Sequence, residues 1–217
     1  MKQKLYVISG LGADFTVLEK IQFPEQYEVV FIDWLIPTPN ESFDRYVHRM
    51  AEKIDDTQPF SLLGYSFGGI IVQEIATFKS PEKIIILGSI RNHREKSALM
   101  NWGYRIPMIK KIPTRFFSQN SAAMYFIIRK IFDPKNPTLN QYFRVKDPYY
   151  LKWSIEKIIQ WKFKTLPHVI QIMGDKDIVF PIEKCKPDFI IKGGTHLFPV
   201  TKHKEVSKIL AHCLNTQ

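Results

Sequence analysis

Cysteine is scarce in this chain of 217 residues, which contains only Cys185 and Cys213. Neither residue belongs to a CxxC motif or to a Cys/His cluster, so the sequence does not support a zinc site or a redox motif. We therefore expect two unpaired thiols in a reducing compartment.

Long apolar runs are also missing. No stretch approaches the roughly 18–20 apolar residues needed to span a bilayer. The run Leu5–Ile8 follows a short basic stretch, but Gly10 and Gly12 interrupt it well before the about 7–15 apolar residues that a signal sequence needs. We interpret the protein as soluble and cytoplasmic.

Acidic residues are rare in the middle of the chain. The formal net charge is +10, and residues 90–165 alone contain 16 Lys and Arg against 4 Asp and Glu. Such an asymmetry bears on partners and solubility rather than on the fold. No recognised nucleic-acid module accompanies these charges, so we do not expect nucleic acid as a partner.

Short apolar runs alternate with helical patterns, which favours βαβ units and a doubly wound, mostly parallel sheet. The predicted strands are Leu5–Ser9, Tyr27–Trp34, Phe60–Leu63, Lys83–Leu87, His168–Met173 and Phe189–Lys192. Helices are expected around Phe15–Lys20 and after Ser42, a candidate N-cap. Residues 90–165 break the alternation with basic, aromatic segments at helical spacing. We therefore expect a core domain of residues 1–89 and 166–217, with residues 90–165 inserted as a helical cap.

The segment Gly64-x-Ser66-x-Gly68 matches the nucleophile elbow, a strained turn between a strand and a helix that exposes the serine oxygen. The strand Phe60–Leu63 precedes it and a helical pattern follows it, as this motif requires. Ser66 is therefore the predicted nucleophile.

A serine hydroxyl needs a base to take its proton, and the base needs a carboxylate to orient it. His196 is the predicted base because it follows the last strand on a glycine-rich turn, at the sheet edge where active-site loops gather. Asp177 is the predicted acid because its Gly-x-x-Asp spacing moves it away from the end of the fifth strand. Asp175 stays open as an alternative, and the loop after the fourth strand offers only Glu95.

Acyl transfer also needs donors for a developing oxyanion. The predicted donors are two backbone N–H groups, those of Phe67, which follows the nucleophile, and of Leu11, in the turn after the first strand. Gly10 and Gly12 permit an unusual backbone path there. This turn lacks the third glycine of a dinucleotide fingerprint, so a nicotinamide site is not expected.

With these residues in place, residues 1–90 and 166–217 resemble the α/β-hydrolase superfamily. The resemblance rests on the elbow, the Gly-x-x-Asp-x-x-x-Pro stretch ending at Pro181, the Gly-Gly-Thr-His turn and the Gly-Leu-Gly turn. Many members have His-Gly where this chain has Ser9-Gly10. The chain also starts at what would be their third strand, which implies a trimmed sheet of about six strands. The insertion occupies the position of the family's helical cap, which commonly shapes substrate choice.

The motifs together predict a serine hydrolase that cleaves a carboxylic ester or thioester, with no metal or organic cofactor implied. Aromatic residues of the cap are candidates for an acyl pocket, and we select Trp102, Tyr104, Phe116 and Phe117. The basic cap residues favour an anionic substrate portion or carrier, such as a coenzyme A thioester or an acyl carrier protein, and they also suit an anionic membrane surface.

Two other kinds of function remain open. An acyltransferase or a carbon–carbon bond hydrolase would use the same three side chains. A catalytically silent binding protein would retain the fold without the chemistry, because a fold alone does not determine a function.

Overall fold

The computed structural model describes residues 2–105, 108–118, 141–163 and 165–216. Its centre is a sheet of six parallel strands in the order β2-β1-β3-β4-β5-β6. The strands are β1 (Gln3–Ile8), β2 (Tyr27–Phe31), β3 (Phe60–Tyr65), β4 (Lys83–Leu87), β5 (Val169–Gly174) and β6 (Phe189–Ile191). The prediction of a parallel sheet of about six strands is confirmed.

Helices cover both faces of this sheet. They are α1 (Phe43–Ala51), α2 (Phe67–Ile75), α3 (Ala98–Arg105), α4 (Met108–Lys111), α5 (Pro148–Gln160), α6 (Phe198–Thr201) and α7 (His203–Asn215). Within the described ranges, none of them is both long and apolar enough to cross a membrane.

The two faces of the sheet bury two separate hydrophobic clusters. Because side chains alternate along a strand, Tyr6 and Ile8 of β1 face the cluster that contains α1 and α2, whereas Leu5 and Val7 face the cluster that contains α7. The strands are consequently buried on both sides, as expected for a parallel sheet. This arrangement holds the carboxyl ends of the strands rigidly at one edge.

The helix start predicted at Ser42 is confirmed, because it depends only on contacts between neighbouring residues. The Ser42 side chain accepts a hydrogen bond from the Arg45 amide at 3.1 Å and begins α1, as an N-cap does. Two predicted elements are shorter than expected by more than one residue. The segment around Phe15–Lys20 forms only a 3₁₀ turn over Phe15–Leu18. The edge strand β2 ends at Phe31, which forms the last pair with β1 at Val7, so Trp34 lies beyond the sheet.

Residues 90–165 lie between β4 and β5. Apart from an isolated antiparallel bridge between Ala13 and Phe143, the described part of this segment contains helices and 3₁₀ turns. Residues 119–140 lie outside the described ranges. The division into core and cap stays a prediction.

Candidate active site

The turn between β3 and α2 places Ser66 in an unusual backbone conformation. Its φ is 53° and its ψ is −117°, a combination that side chains with a Cβ rarely adopt. The surroundings fix this residue, because its N–H donates to the Leu87 carbonyl at 2.9 Å and its carbonyl accepts from the Gly69 amide at 3.0 Å. The Ser89 hydroxyl donates to the same carbonyl at 2.7 Å. Three hydrogen bonds therefore hold Ser66 in a strained backbone conformation.

Glycine is required on both sides of Ser66. A Cβ added at Gly64 would lie 2.3 Å from the Gly68 carbonyl oxygen, and one added at Gly68 would lie 2.2 Å from the Ile8 carbonyl oxygen. In both cases the obstacle is backbone, which cannot move aside as the tip of a side chain can. The two glycines thus let α2 start directly against β1 and β3.

Three of the predicted site residues are brought into contact. His196 Nε2 lies 2.8 Å from Ser66 Oγ, and His196 Nδ1 lies 2.7 Å from Asp177 Oδ2. An imidazole that donates from Nδ1 to a carboxylate keeps its lone pair on Nε2, where it can accept the serine proton. The His196 and Asp177 side chains are fully buried, which shields their pairing from water. A hydroxyl, an imidazole and a carboxylate in this series can generate a serine nucleophile.

The two aspartates of the loop after β5 have different partners. Asp177 uses its other oxygen, Oδ1, to accept the amides of Val179 and Phe180 at 2.8 and 3.1 Å, so the carboxylate is held at both ends. Asp175 instead accepts the Gly193 amide at 2.7 Å.

Glu95, in the loop after β4, is engaged elsewhere. It is buried and accepts from the Arg91 backbone and the Gln171 side chain. Of the three acids considered from sequence, Asp177 is the one in contact with the imidazole.

Tyr65 occupies a variable position of the Gly-x-Ser-x-Gly motif, so the motif predicts no role for it. Its hydroxyl donates to the His196 carbonyl at 2.8 Å, which ties the histidine loop to the elbow. Burial, and then the nearby Asp177 carboxylate, raise the pKa of Tyr65 well above its usual range. The hydroxyl therefore stays protonated and keeps donating over the whole working pH range.

The turn after β1 lies against the nucleophile. A Cβ added at Gly10 would sit 3.3 Å from the Ser66 Cβ. Leu11 follows in this turn, and Phe67 is the first residue of α2, where amides have no acceptor within the helix. Among the described residues, no protein group accepts either N–H. Both predicted oxyanion donors are thus backbone amides in segments that adjoin Ser66.

The four aromatic residues selected from the cap fall into two groups. Trp102 and Tyr104 lie on α3 and are 52% and 41% exposed. Phe116 and Phe117 lie in a 3₁₀ turn, with their rings edge to face at 5.8 Å, and Phe117 belongs to the core. Their role in substrate binding stays a prediction.

The described basic residues of segment 90–165 differ in their surroundings. Arg91 pairs with Asp188, and Lys110 lies 3.7 Å from a carboxylate oxygen of Glu156. Lys96 is buried, and its ammonium donates to the carbonyls of Ile159 and Trp161 at 2.7 and 2.6 Å. Exposed examples are Arg94 and Arg115. Among the described residues, neither of these two side chains has an ion-pair partner.

The sequence matches no protein-family model and no curated protein. Solved structures do match over nearly the whole chain. A hydrolase from Pseudomonas aeruginosa is 14% identical, with a TM-score of 0.73 over 99% of this chain and 91% of the other. An alpha/beta hydrolase fold protein from Burkholderia ambifaria is 12% identical, with a TM-score of 0.71 over 98% and 91%. A thermophilic esterase from Thermogutta terrifontis is 13% identical, with a TM-score of 0.69 over 99% and 90%. The chain therefore has the α/β-hydrolase fold.

Proposed function

We propose that the protein is a serine hydrolase that cleaves a carboxylic ester or thioester through an acyl-enzyme. The observation that supports this most is the unbroken series of hydrogen bonds from Asp177 through His196 to Ser66. His196 is buried, with one ring nitrogen against a carboxylate and the other against a serine whose backbone is strained. Ordinary packing does not require such strain, so the arrangement favours a role in chemistry. The similarity to an esterase adds support.

The reaction begins when His196 Nε2 takes the Ser66 proton while Oγ attacks the acyl carbon. The resulting oxyanion is held by the backbone N–H groups of Leu11 and Phe67. His196 then gives its proton to the leaving alcohol or thiol, and the acyl group stays on Ser66. Water, deprotonated by His196, releases the acid and restores the enzyme. Asp177 orients the imidazole and stabilises its charged form throughout.

The direct test replaces Ser66 by Ala and measures hydrolysis of an activated ester, together with labelling by a fluorophosphonate probe. We expect a loss of at least about 10⁴-fold in kcat and no labelling, as for the removal of a triad serine. Ser61→Ala is the matched control, because Ser61 is a fully buried serine of β3, the strand that leads into the Ser66 turn. It should keep both signals. A loss of less than about tenfold in Ser66→Ala would reject the assignment.

The same assay, repeated with competing alcohols or thiols, separates two of the other functions. A wild-type chain that hydrolyses no ester and takes up no probe favours the silent binding protein. If competing alcohols or thiols divert most of the acyl group, the protein is an acyltransferase instead.

We further propose that the substrate has an anionic portion, which the basic segment 90–165 attracts. The support is the excess of Lys and Arg in this segment, with Arg94 and Arg115 exposed. Because salt screens exposed charges, kcat/KM for an anionic ester should fall with ionic strength, while kcat/KM for a neutral ester of the same length should not. The double variant Arg94→Gln, Arg115→Gln should reduce this difference. An equal salt response for both esters contradicts the proposal.

A further inference from the structure

The turn after β1 has the geometry of a tight β-turn. The Gly10 carbonyl accepts the Ala13 amide at 3.0 Å, and Gly12, the third residue of the turn, has a φ of +71°. A positive φ at this position is typical of a type II turn, which glycine adopts without strain. Leu11, one of the two proposed oxyanion donors, is the second residue of this turn.

Trp34 contacts this turn from the segment beyond β2. Its buried indole N–H is shared between the Gly10 carbonyl oxygen at 2.9 Å and Ser9 Oγ at 3.1 Å. The Ser9 hydroxyl in turn donates to the Ala13 carbonyl at 2.5 Å. Ser9 stands where many α/β-hydrolases have histidine, and here it joins the indole to the far end of the turn.

The same indole also packs on the side chain of Phe67, whose backbone N–H is the second proposed donor. Its ring is stacked on that of Phe67, with the centroids 5.1 Å apart and the planes 10° from parallel. Trp34 therefore contacts both segments that supply the oxyanion hole. One contact is a hydrogen bond to the turn, and the other is packing at the first residue of α2.

The hydrogen bond to Gly10 has a consequence for Leu11. In a trans peptide unit, the carbonyl of one residue and the N–H of the next lie in one plane and point in opposite directions. An indole N–H that holds the Gly10 carbonyl therefore also fixes the direction of the Leu11 N–H. On the other side of Leu11, the Tyr150 hydroxyl accepts the Gly12 N–H at 3.4 Å, which restricts the following peptide unit.

We propose that Trp34 is a positioning residue for the oxyanion hole, acting through the Gly10 carbonyl and Ser9 to aim the Leu11 N–H at the developing oxyanion. The inference rests on the proposed function, since it assigns a task within that reaction. In this role Trp34 acts through the turn and not on the substrate. Its effect belongs to the transition state, where the oxyanion exists, and not to the binding of the ester.

The test replaces Trp34 by Phe, which keeps an aromatic ring on Phe67 but removes the N–H. We expect kcat to fall by about 10- to 100-fold with KM little changed, because losing one oxyanion donor entirely costs about 10²–10³-fold. Inhibition by a trifluoromethyl ketone, which forms an oxyanion on Ser66, should weaken by a similar factor. Binding of the alcohol product, which forms no oxyanion, should stay the same.

Trp153→Phe is the matched control. The Trp153 indole is also buried and donates to a single backbone carbonyl, that of Glu41 at 3.2 Å. Both variants should lose a similar amount of thermal stability, but only Trp34→Phe should lose turnover and affinity for the ketone. Ser9→Ala provides a second measurement if Trp34→Phe does not fold. It should lower kcat by a smaller factor, with the same selective effect on the ketone.

The outcomes are distinguishable. If the wild type is active and Trp34→Phe, or Ser9→Ala in its place, matches the control in kcat and in ketone affinity, the positioning role is wrong and the proposed function stands. If the wild type neither hydrolyses esters nor labels at Ser66, the proposed function fails and this inference fails with it. A selective loss of turnover and ketone binding supports both.

Discussion

Replacing Asp177 by Asn changes the chemistry of the site with almost no change in shape. Asp177 Oδ1 accepts two backbone amides, and Oδ2 faces His196 Nδ1 at 2.7 Å. The asparagine oxygen will stay on the two amides, because turning the side chain over would set its NH₂ group against two donors. The NH₂ group must then face Nδ1 of the imidazole.

This orientation reverses the tautomer of His196. A ring nitrogen that faces a donor has to accept, so the proton moves to Nε2 and the imidazole can no longer take the Ser66 proton. The same change in a well-studied Ser-His-Asp triad lowers kcat by about 10⁴-fold, which corresponds to about 5.5 kcal/mol in the activation free energy. Thermal stability should change little, because the hydrogen bonds to the backbone are retained.

The measurement is kcat and KM on an activated ester, with thermal unfolding in parallel. Asp175→Asn is the control, because its oxygen can keep the Gly193 hydrogen bond, whereas the carboxylate that faces His196 Nδ1 is that of Asp177. It should have nearly wild-type kcat. If Asp177→Asn kept more than a tenth of the wild-type kcat, or if Asp175→Asn lost as much as Asp177→Asn, the tautomer argument would be refuted.

Three further predictions concern a glycine of the elbow, the two cysteines and a buried lysine. Gly68→Ala should strongly lower both thermal stability and activity, because the added Cβ would meet a carbonyl oxygen of β1 at 2.2 Å. Gly103→Ala is the control, because the nearest neighbour of its added Cβ is 3.5 Å away. This control should fold normally in circular dichroism and melting experiments. Burial raises the pKa of the Cys185 thiol to about 12 and that of Cys213 to about 11, so a thiol reagent at pH 8 should label both slowly in the native protein and rapidly in denaturant; fast native labelling would contradict this. Burial, reinforced by a neighbouring lysine, lowers the pKa of Lys96 from 10.5 to about 8. The unfolded chain then holds more protons than the folded one between these values, so the free energy of unfolding should rise with pH across that window. Denaturant titrations of Lys96→Met should lack this part of the rise.

Much of the sheet and of the elbow could be predicted from sequence because their signals are local. Apolar runs mark the strands, and the elbow needs two glycines within five residues, a requirement that follows from backbone contacts at Gly64 and Gly68. The ends of elements were less predictable. β2 ends at its last pair with β1, between Phe31 and Val7, and no pattern within β2 records this pairing.

The side chains that support the site were not predictable, because their partners are far away in the sequence. The sequence pattern predicts only that Trp34 is an apolar residue at the end of a strand. In the structure its N–H contacts Ser9 and Gly10. Tyr150 reaches Gly12 across 138 positions. Periodicity indicates that such residues are buried, but not which carbonyl or amide they meet, since that depends on how distant segments pack.

The backbone strain at Ser66 bears on the choice between an enzyme and a silent binding protein. A non-glycine residue at a rarely populated φ and ψ destabilises the folded chain by of order 1–3 kcal/mol, and glycine would relieve most of it. Ser66→Gly should therefore melt at a higher temperature than Ser66→Ala, which loses the same hydroxyl and its hydrogen bond to His196 but keeps the strain. Both variants should abolish hydrolysis. Strain at this residue is what the proposed hydrolase predicts, whereas a silent binding protein would have no need to keep it.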